Sequence, residues 1–221
     1  MGQAEIVYDS LSSAILAGRY PPGAKLSEPV IAEELGLSRA PVREAIRRLQ
    51  ERGIVAHEPY QGVRVAAPSL DDYLALLDVR EELEGMACRL AASTMPDATL
   101  RELEALVEAH GRTLEADPAG PYLQADRDAD FHVRIAEGCG NPVLSNLLCA
   151  DMYPRLKLCR LQHRGLTGRG RAAWQEHRLI MQALGARDAE LAELMMRRHV
   201  RAARASLIVT QAAGGGTKID G

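Results

Sequence analysis

Two apolar helical repeats meet across three residues, and that junction restricts the fold more than any other feature of the chain. Val30, Ile31, Ala32 and Leu35 recur at helical spacing up to Gly36, while Val42, Ala45, Ile46 and Leu49 recur after Ser38. Gly36 suits the C′ position that ends a helix. Ser38 suits the N-cap of the next through its hydroxyl, and Pro41 falls in the first turn, where a missing N–H is harmless. With only Leu37 between the two signals, the segments are expected to fold as a helix-turn-helix.

The second helix then starts at Arg39. At about 100° per residue its apolar positions form one edge, and Arg39, Arg43 and Arg47 follow one another on an adjoining stripe. Arg48 and Arg52 are directed elsewhere, toward solvent or phosphates. Between Arg39 and Arg52 five arginines face only Glu44 and Glu51, although the chain as a whole carries a formal charge of −3. Such a balance argues against coating nucleic acid nonspecifically and suits a local basic patch entering a major groove.

Around this pair the pattern is coherent. Ile6, Val7, Leu11, Ile15 and Leu16 predict a helix over residues 4–18, closed by Gly18 and the Tyr20-Pro21-Pro22-Gly23 breaker. Ser27 can cap the helix that ends at Gly36. After Gly53 the period changes: Ile54–Glu58 and Val63–Val65 are short β-prone runs around Pro59-Tyr60-Gln61-Gly62, a hairpin of the kind that forms a wing. Gln61 and Gly62 at its tip could approach a minor groove; equally, Gly62 could serve only the turn.

Residues 15–65, including Leu26-Ser27-Glu28, Ala32-Glu33-Glu34-Leu35-Gly36-Leu37-Ser38-Arg39-Ala40-Pro41-Val42-Arg43-Glu44-Ala45-Ile46 and Gly62-Val63-Arg64-Val65, resemble the GntR family of bacterial transcription regulators without a gap. The resemblance implies that Arg39 and Arg43 contact bases and that Ser38 and Gly62 lie near the DNA backbone or minor groove. Pro29 departs from it, standing where many members carry an arginine.

Residues 1–66 are therefore read as a winged helix-turn-helix domain and 67–69 as a linker. Residues 70–211 are read as an all-α bundle of about six helices, and 212–221 as a flexible tail. The bundle's apolar repeats run over 70–92, 100–114, 122–136, 143–161, 172–184 and 191–209, with Pro154 expected to kink the fourth. No apolar run reaches the roughly 18 residues of a membrane span, and no signal peptide is evident, so a cytoplasmic protein is expected. Cys88, Cys139, Cys149 and Cys159 form no C-x-x-C pair and read as reduced, buried thiols rather than disulfides or metal ligands.

Asp128 and His132 lie one turn apart on one helix face; His177 and His199 fall on the inward faces of two later helices. Taken singly, each histidine fits an ordinary core or surface role, as His57, His110 and His163 do. Together, three imidazoles and a carboxylate buried without a cation would be costly, which favours a divalent metal, with Zn2+ ahead of Ni2+ or Mn2+. Arg80 lies on an apolar face with Tyr73, Leu74 and Leu77. It can either grip a carboxylate ligand or pair with Glu84 at a surface.

Asp128-Ala129-Asp130-Phe131-His132, Gly140-Asn141-Pro142, Glu176-His177-Arg178-Leu179-Ile180 and Arg198-His199 resemble the FCD-type ligand-binding domain of the FadR subfamily. That likeness implies a divalent metal on Asp128, His132, His177 and His199, and a small organic acid beside it at Arg80. The expected function is a metabolite-responsive regulator, most simply a repressor, acting as a homodimer on a pseudo-palindromic double-stranded operator. A metal sensor without an organic effector shares the same DNA-binding half. A metallohydrolase is disfavoured, since no H-E-x-x-H or comparable acid–base pair is present.

Overall fold

In a computed structural model of the chain, residues 2–116, 131–163 and 169–214 are described. They form two compact units, Met1–Tyr73 with Tyr153–Arg164, and Leu74–Met152 with Gly165–Gly221. No described helix is both long and apolar enough to cross a membrane.

The first unit begins with α1 (Gln3–Leu16), followed by β1 (Lys25–Leu26), α2 (Glu28–Glu34), α3 (Arg39–Glu51), β2 (Val55–Glu58) and β3 (Gly62–Val65). Val7, Leu11 and Ile15 of α1, Ile31 of α2, and Val42, Ile46 and Leu49 of α3 share one buried core with Val55 and Val65 of the sheet. Between α2 and α3, Gly36 adopts φ +63°. Its N–H bonds to the Glu33 carbonyl and that of Leu37 to the Ala32 carbonyl, a Schellman closure that makes the tight turn possible. Ser38 occupies the N-cap of α3 with extended backbone, yet its side chain makes no capping bond, so the hydroxyl expected to serve the helix does not.

The sheet is antiparallel in the order β1-β3-β2, with Val55 opposite Val65 and Lys25 opposite Arg64. A two-residue strand offers no alternation for a sequence pattern to register, which is why β1 goes unforeseen.

Ser69 and Asp72 cap α4 (Leu70–Thr94) reciprocally: the Asp72 carboxylate accepts from the Ser69 N–H at 2.9 Å, and the Ser69 hydroxyl accepts from the Asp72 N–H at 3.1 Å. The helical unit continues with α5 (Asp97–Ala116), α6 (Phe131–Gly138) and α7 (Pro142–Asn146), a π-helical stretch (Leu147–Met152), then α9 (Gly170–Gly185) and α10 (Ala189–Gly214); α8 (Tyr153–Gln162) belongs to the first unit. The long helix expected over 143–161 is thus delivered in three pieces. Pro154 cannot donate to the carbonyl of Ala150, and the backbone ahead of it widens to π geometry. Helix α10 runs through Gly214, past the start of the tail expected at 212; residues 215–221 lie outside the described residues.

Candidate functional site

Helix α3 buries Val42, Ala45, Ile46 and Leu49 and leaves Ser38, Arg39, Arg43 and Arg47 exposed. The arginines are not equivalent. Arg43 Nε donates to Glu28 Oε2 at 3.2 Å while 69% of its side chain remains exposed. Arg47 is bracketed by Glu44, at 2.6 Å, and by Glu51. Pro29 lies in the first turn of α2, and the carboxylate of the neighbouring Glu28 is the one that accepts from Arg43.

Arg48 has partners that the sequence did not reveal. Expected toward solvent or phosphates, it donates to both Glu5 oxygens at 3.0 and 3.3 Å and lies 4.4 Å from the centroid of the Tyr8 ring, with about a third of its side chain still exposed. Its neighbours in α1 are some forty residues away in sequence, beyond the reach of any local pattern. At the wing tip Gln61 is exposed and Gly62 adopts φ +82°. Tyr60 is fully exposed with φ +61°, a residue the sequence reading treated as part of the turn only.

In the helical unit α6, α9 and α10 bring His132, His177 and His199 together, with 2%, 0% and 4% of each residue exposed. One ligand-capable nitrogen from each lies within 4.8 Å of the others, and the Nε2 atoms of His177 and His199 are 3.3 Å apart. The His132 ring stacks on His199 at 5.1 Å and meets His177 edge-on at 5.0 Å, while Phe131 stacks on His177 at 4.1 Å. Asp128, the fourth expected ligand, lies outside the described residues.

Carboxylates lie behind two of these rings, and neither was foreseen. Glu176 Oε2 sits 2.7 Å from His199 Nδ1, and Arg169 donates to both Glu176 oxygens at 2.6 and 2.8 Å. Glu84 Oε2 sits 2.8 Å from His132 Nδ1. Its other oxygen accepts from Arg80 Nε at 2.7 Å, so the Arg80–Glu84 pair forms, but buried rather than at the surface where it was expected. Because a carboxylate oxygen can only accept, the Nδ1 atom of His199 carries the proton and its Nε2 faces that of His177, whereas His132 Nδ1 and Glu84 Oε2 lie close without the geometry of a hydrogen bond.

Electrostatics favour the same state. Burial pushes His177 well below the usual imidazole value, helped by the neighbouring His199, His132 and Arg80. Burial also lowers His199, against the opposing pull of Glu176. Glu176 is itself desolvated, yet its bonds from His199 and Arg169 hold it below the usual carboxylate range. Neutral rings converging on one point are what a divalent ion requires. The four cysteines are free; Cys88, Cys139 and Cys159 are buried, and among the described residues no thiol joins the histidine group.

A winged helix-turn-helix and an all-helical unit with a buried histidine cluster, carried on one chain, define the class of two-domain DNA-binding regulators. Residues 3–65 match the family described as "Bacterial regulatory proteins, gntR family", and residues 75–202 match the FCD domain. The chain belongs to the GntR family, in its FCD-containing branch. It is 31% identical over 199 residues to a "Probable D-xylose utilization operon transcriptional repressor" of Paenarthrobacter nicotinovorans, a match covering 90% of this chain and 86% of that protein. The "HTH-type transcriptional repressor GlaR" of Escherichia coli (strain K12) is 28% identical over 200 residues, covering 87% and 90%. In fold it is similar to E. coli McbR/YncC, with a TM-score of 0.73 at 23% identity, covering 96% of this chain and 99% of that one. These relatives are transcription regulators, not enzymes, and regulators of this family bind DNA operators.

Proposed function

We propose that this chain is a repressor whose hold on operator DNA is set by a divalent cation and a small organic acid in the helical unit. One observation carries the reading: three buried imidazoles turn toward one point, two of them backed by carboxylates at Nδ1. His132, His177 and His199, with Asp128, would hold the ion, Zn2+ before Ni2+ or Mn2+, and the ion would supply a positive centre for an anion. Arg80 would take the acid's carboxylate. On the DNA side, Arg39 and Arg43 would read base edges. Arg47, Ser38, Gln61 and Gly62 would lie along the backbone and minor groove.

One such helix reads few base pairs, so the active species is a homodimer on a pseudo-palindrome, working in the cytoplasm where its free thiols stay reduced. The acid regulates only if it binds the DNA-competent and incompetent states with different affinity.

Titrating a selected operator duplex with chelator-stripped and Zn2+-reloaded protein, against a panel of mono- and dicarboxylic acids, tests this. At least one acid should change operator affinity about fivefold or more at fixed Zn2+. A response to Zn2+ with none to any acid makes the ion itself the signal; no response to either sinks the modulation. In the same assay Arg43→Ala should weaken operator binding by about 1–3 kcal/mol and random duplex far less.

A further inference from the structure

Helix α8 lies far beyond the helix-turn-helix in sequence and is nevertheless built into the same unit. Leu158, 1% exposed, shares the core of Val42, Leu49 and Ile54. Just past the helix, His163 Nε2 donates to the Pro68 carbonyl at 3.1 Å, and its ring stacks on Tyr73 with centroids 6.0 Å apart. At the other end Arg155 Nε donates to the carbonyl of Arg52, 103 positions away, at 2.9 Å.

That carbonyl sits at a sensitive place. Helix α3 ends at Glu51 and β2 begins at Val55, so Arg52-Gly53-Ile54 is the whole joint between the recognition helix and the wing. Gly53 turns it with φ +68°, a conformation that favours glycine. A Cβ on Gly53 would come within 3.0–3.2 Å of the Arg155 guanidinium, so the arginine lies directly against the turn.

We infer that Arg155 is a positioning residue for operator binding: by pinning the Arg52 carbonyl it fixes the angle between the recognition helix and the wing. The cation also suits the negative end of α3. Arg155 is exposed, so water can replace its bond to the carbonyl, and the core around Leu158 keeps the unit folded. What the replacement loses is the constraint on the joint. A preferred duplex needs helix and wing in register together, whereas an arbitrary one is held through its phosphates and tolerates a looser angle. Every residue involved lies in the first unit, so the inference stands apart from the metal and the acid.

The experiment uses full-length wild type, Arg155→Met and Arg155→Lys at identical metal content, each titrated onto a selected operator and a random duplex over a salt series, with folding followed by urea unfolding. Arg155→Met should weaken operator binding about fivefold or more. Random duplex should be affected far less, and the slope of log affinity against log salt should not change. Lysine can donate to the same carbonyl, so Arg155→Lys should recover most of the loss. A slope smaller by about one means that Arg155 meets a phosphate itself and overturns the positioning role. Equal losses on both duplexes overturn it as well. So does wild-type operator affinity in Arg155→Met, even with a lower urea midpoint, because α8 would then add stability alone. Should Arg155→Met fail to fold, nitrogen relaxation of residues 52–54 in wild type decides the point. A pinned joint gives backbone order parameters of about 0.85, and values below about 0.6 end the inference.

Discussion

Arg47…Glu51 on α3 and Arg80…Glu84 on α4 have the same spacing and the same chemistry, and they have little else in common. The first pair leaves 56% and 58% of its side chains exposed, the second 4% and 2%. On α3 the guanidinium is shared between Glu44 and Glu51 in water, where such contacts hold a side chain loosely and yield when a phosphate offers more. On α4 no water stands in for a lost partner, so the pair is a fixed part of the interior and each member depends on the other. An i,i+4 arginine–glutamate pair is thus a reservoir of mobile charge in one unit and a structural joint in the other. What differs is the face of the helix.

The largest effect should come from breaking the buried pair alone. Arg80→Met leaves the Glu84 carboxylate without its guanidinium partner inside the helical unit. It should lower the stability measured by urea unfolding of metal-free protein by about 3–5 kcal/mol. Glu51→Gln should leave the urea midpoint where it is. Equal shifts would mean that the interior around Glu84 relaxes enough to admit water, and the contrast between the two pairs would be lost.

Acid should act on the same side of the comparison. His177 and His199 have basicities below the ordinary imidazole value of 6.5, chiefly through burial, so the unfolded chain takes up their protons first as pH falls. Their contribution to stability is therefore present above about pH 6.5 and is lost below it, by at most about 1.4 kcal/mol per pH unit for each ring. Urea midpoints of metal-free protein at pH 7.5 and 5.5, a range in which carboxylates stay ionised, should fall in that direction. A flat profile would show that the rings are solvated in the free protein. The exposed pairs of α3 should contribute nothing to this slope.

The sequence makes the helix-turn-helix legible because its signals are local: Gly36 and Ser38 punctuate two apolar repeats within a few residues. The three histidines are legible for a related reason, since each lies on the inward face of its own helix. Their carboxylate supports are not. Glu84 continues the stripe of Leu77, Cys88 and Ala91, all buried, and a charged pair interrupting such a stripe was the available clue. By spacing alone it reads as an ordinary surface pair. Glu176 precedes His177 in sequence but serves His199, a partner 23 positions away. Pairings across helices depend on how the helices pack, and the apolar period does not encode that. The π-helical stretch before Pro154 is similar: the proline announces a disturbance but not the form it takes.

The smallest effect concerns Arg48, and it tests whether a surface arginine on the recognition helix must belong to the DNA. Its guanidinium is committed to Glu5 and to the Tyr8 ring, so it fastens α1 to α3 instead of waiting for phosphate. Arg48→Ala should lower the urea midpoint slightly and leave the slope of log affinity against log salt unchanged on operator and random duplex alike. A guanidinium that met a phosphate would reduce that slope by about one when removed. Finding such a reduction would return Arg48 to the DNA face and mean that its contact with Glu5 opens on binding. An unchanged slope confines direct DNA contact on this helix to the stripe of Arg39, Arg43 and Arg47.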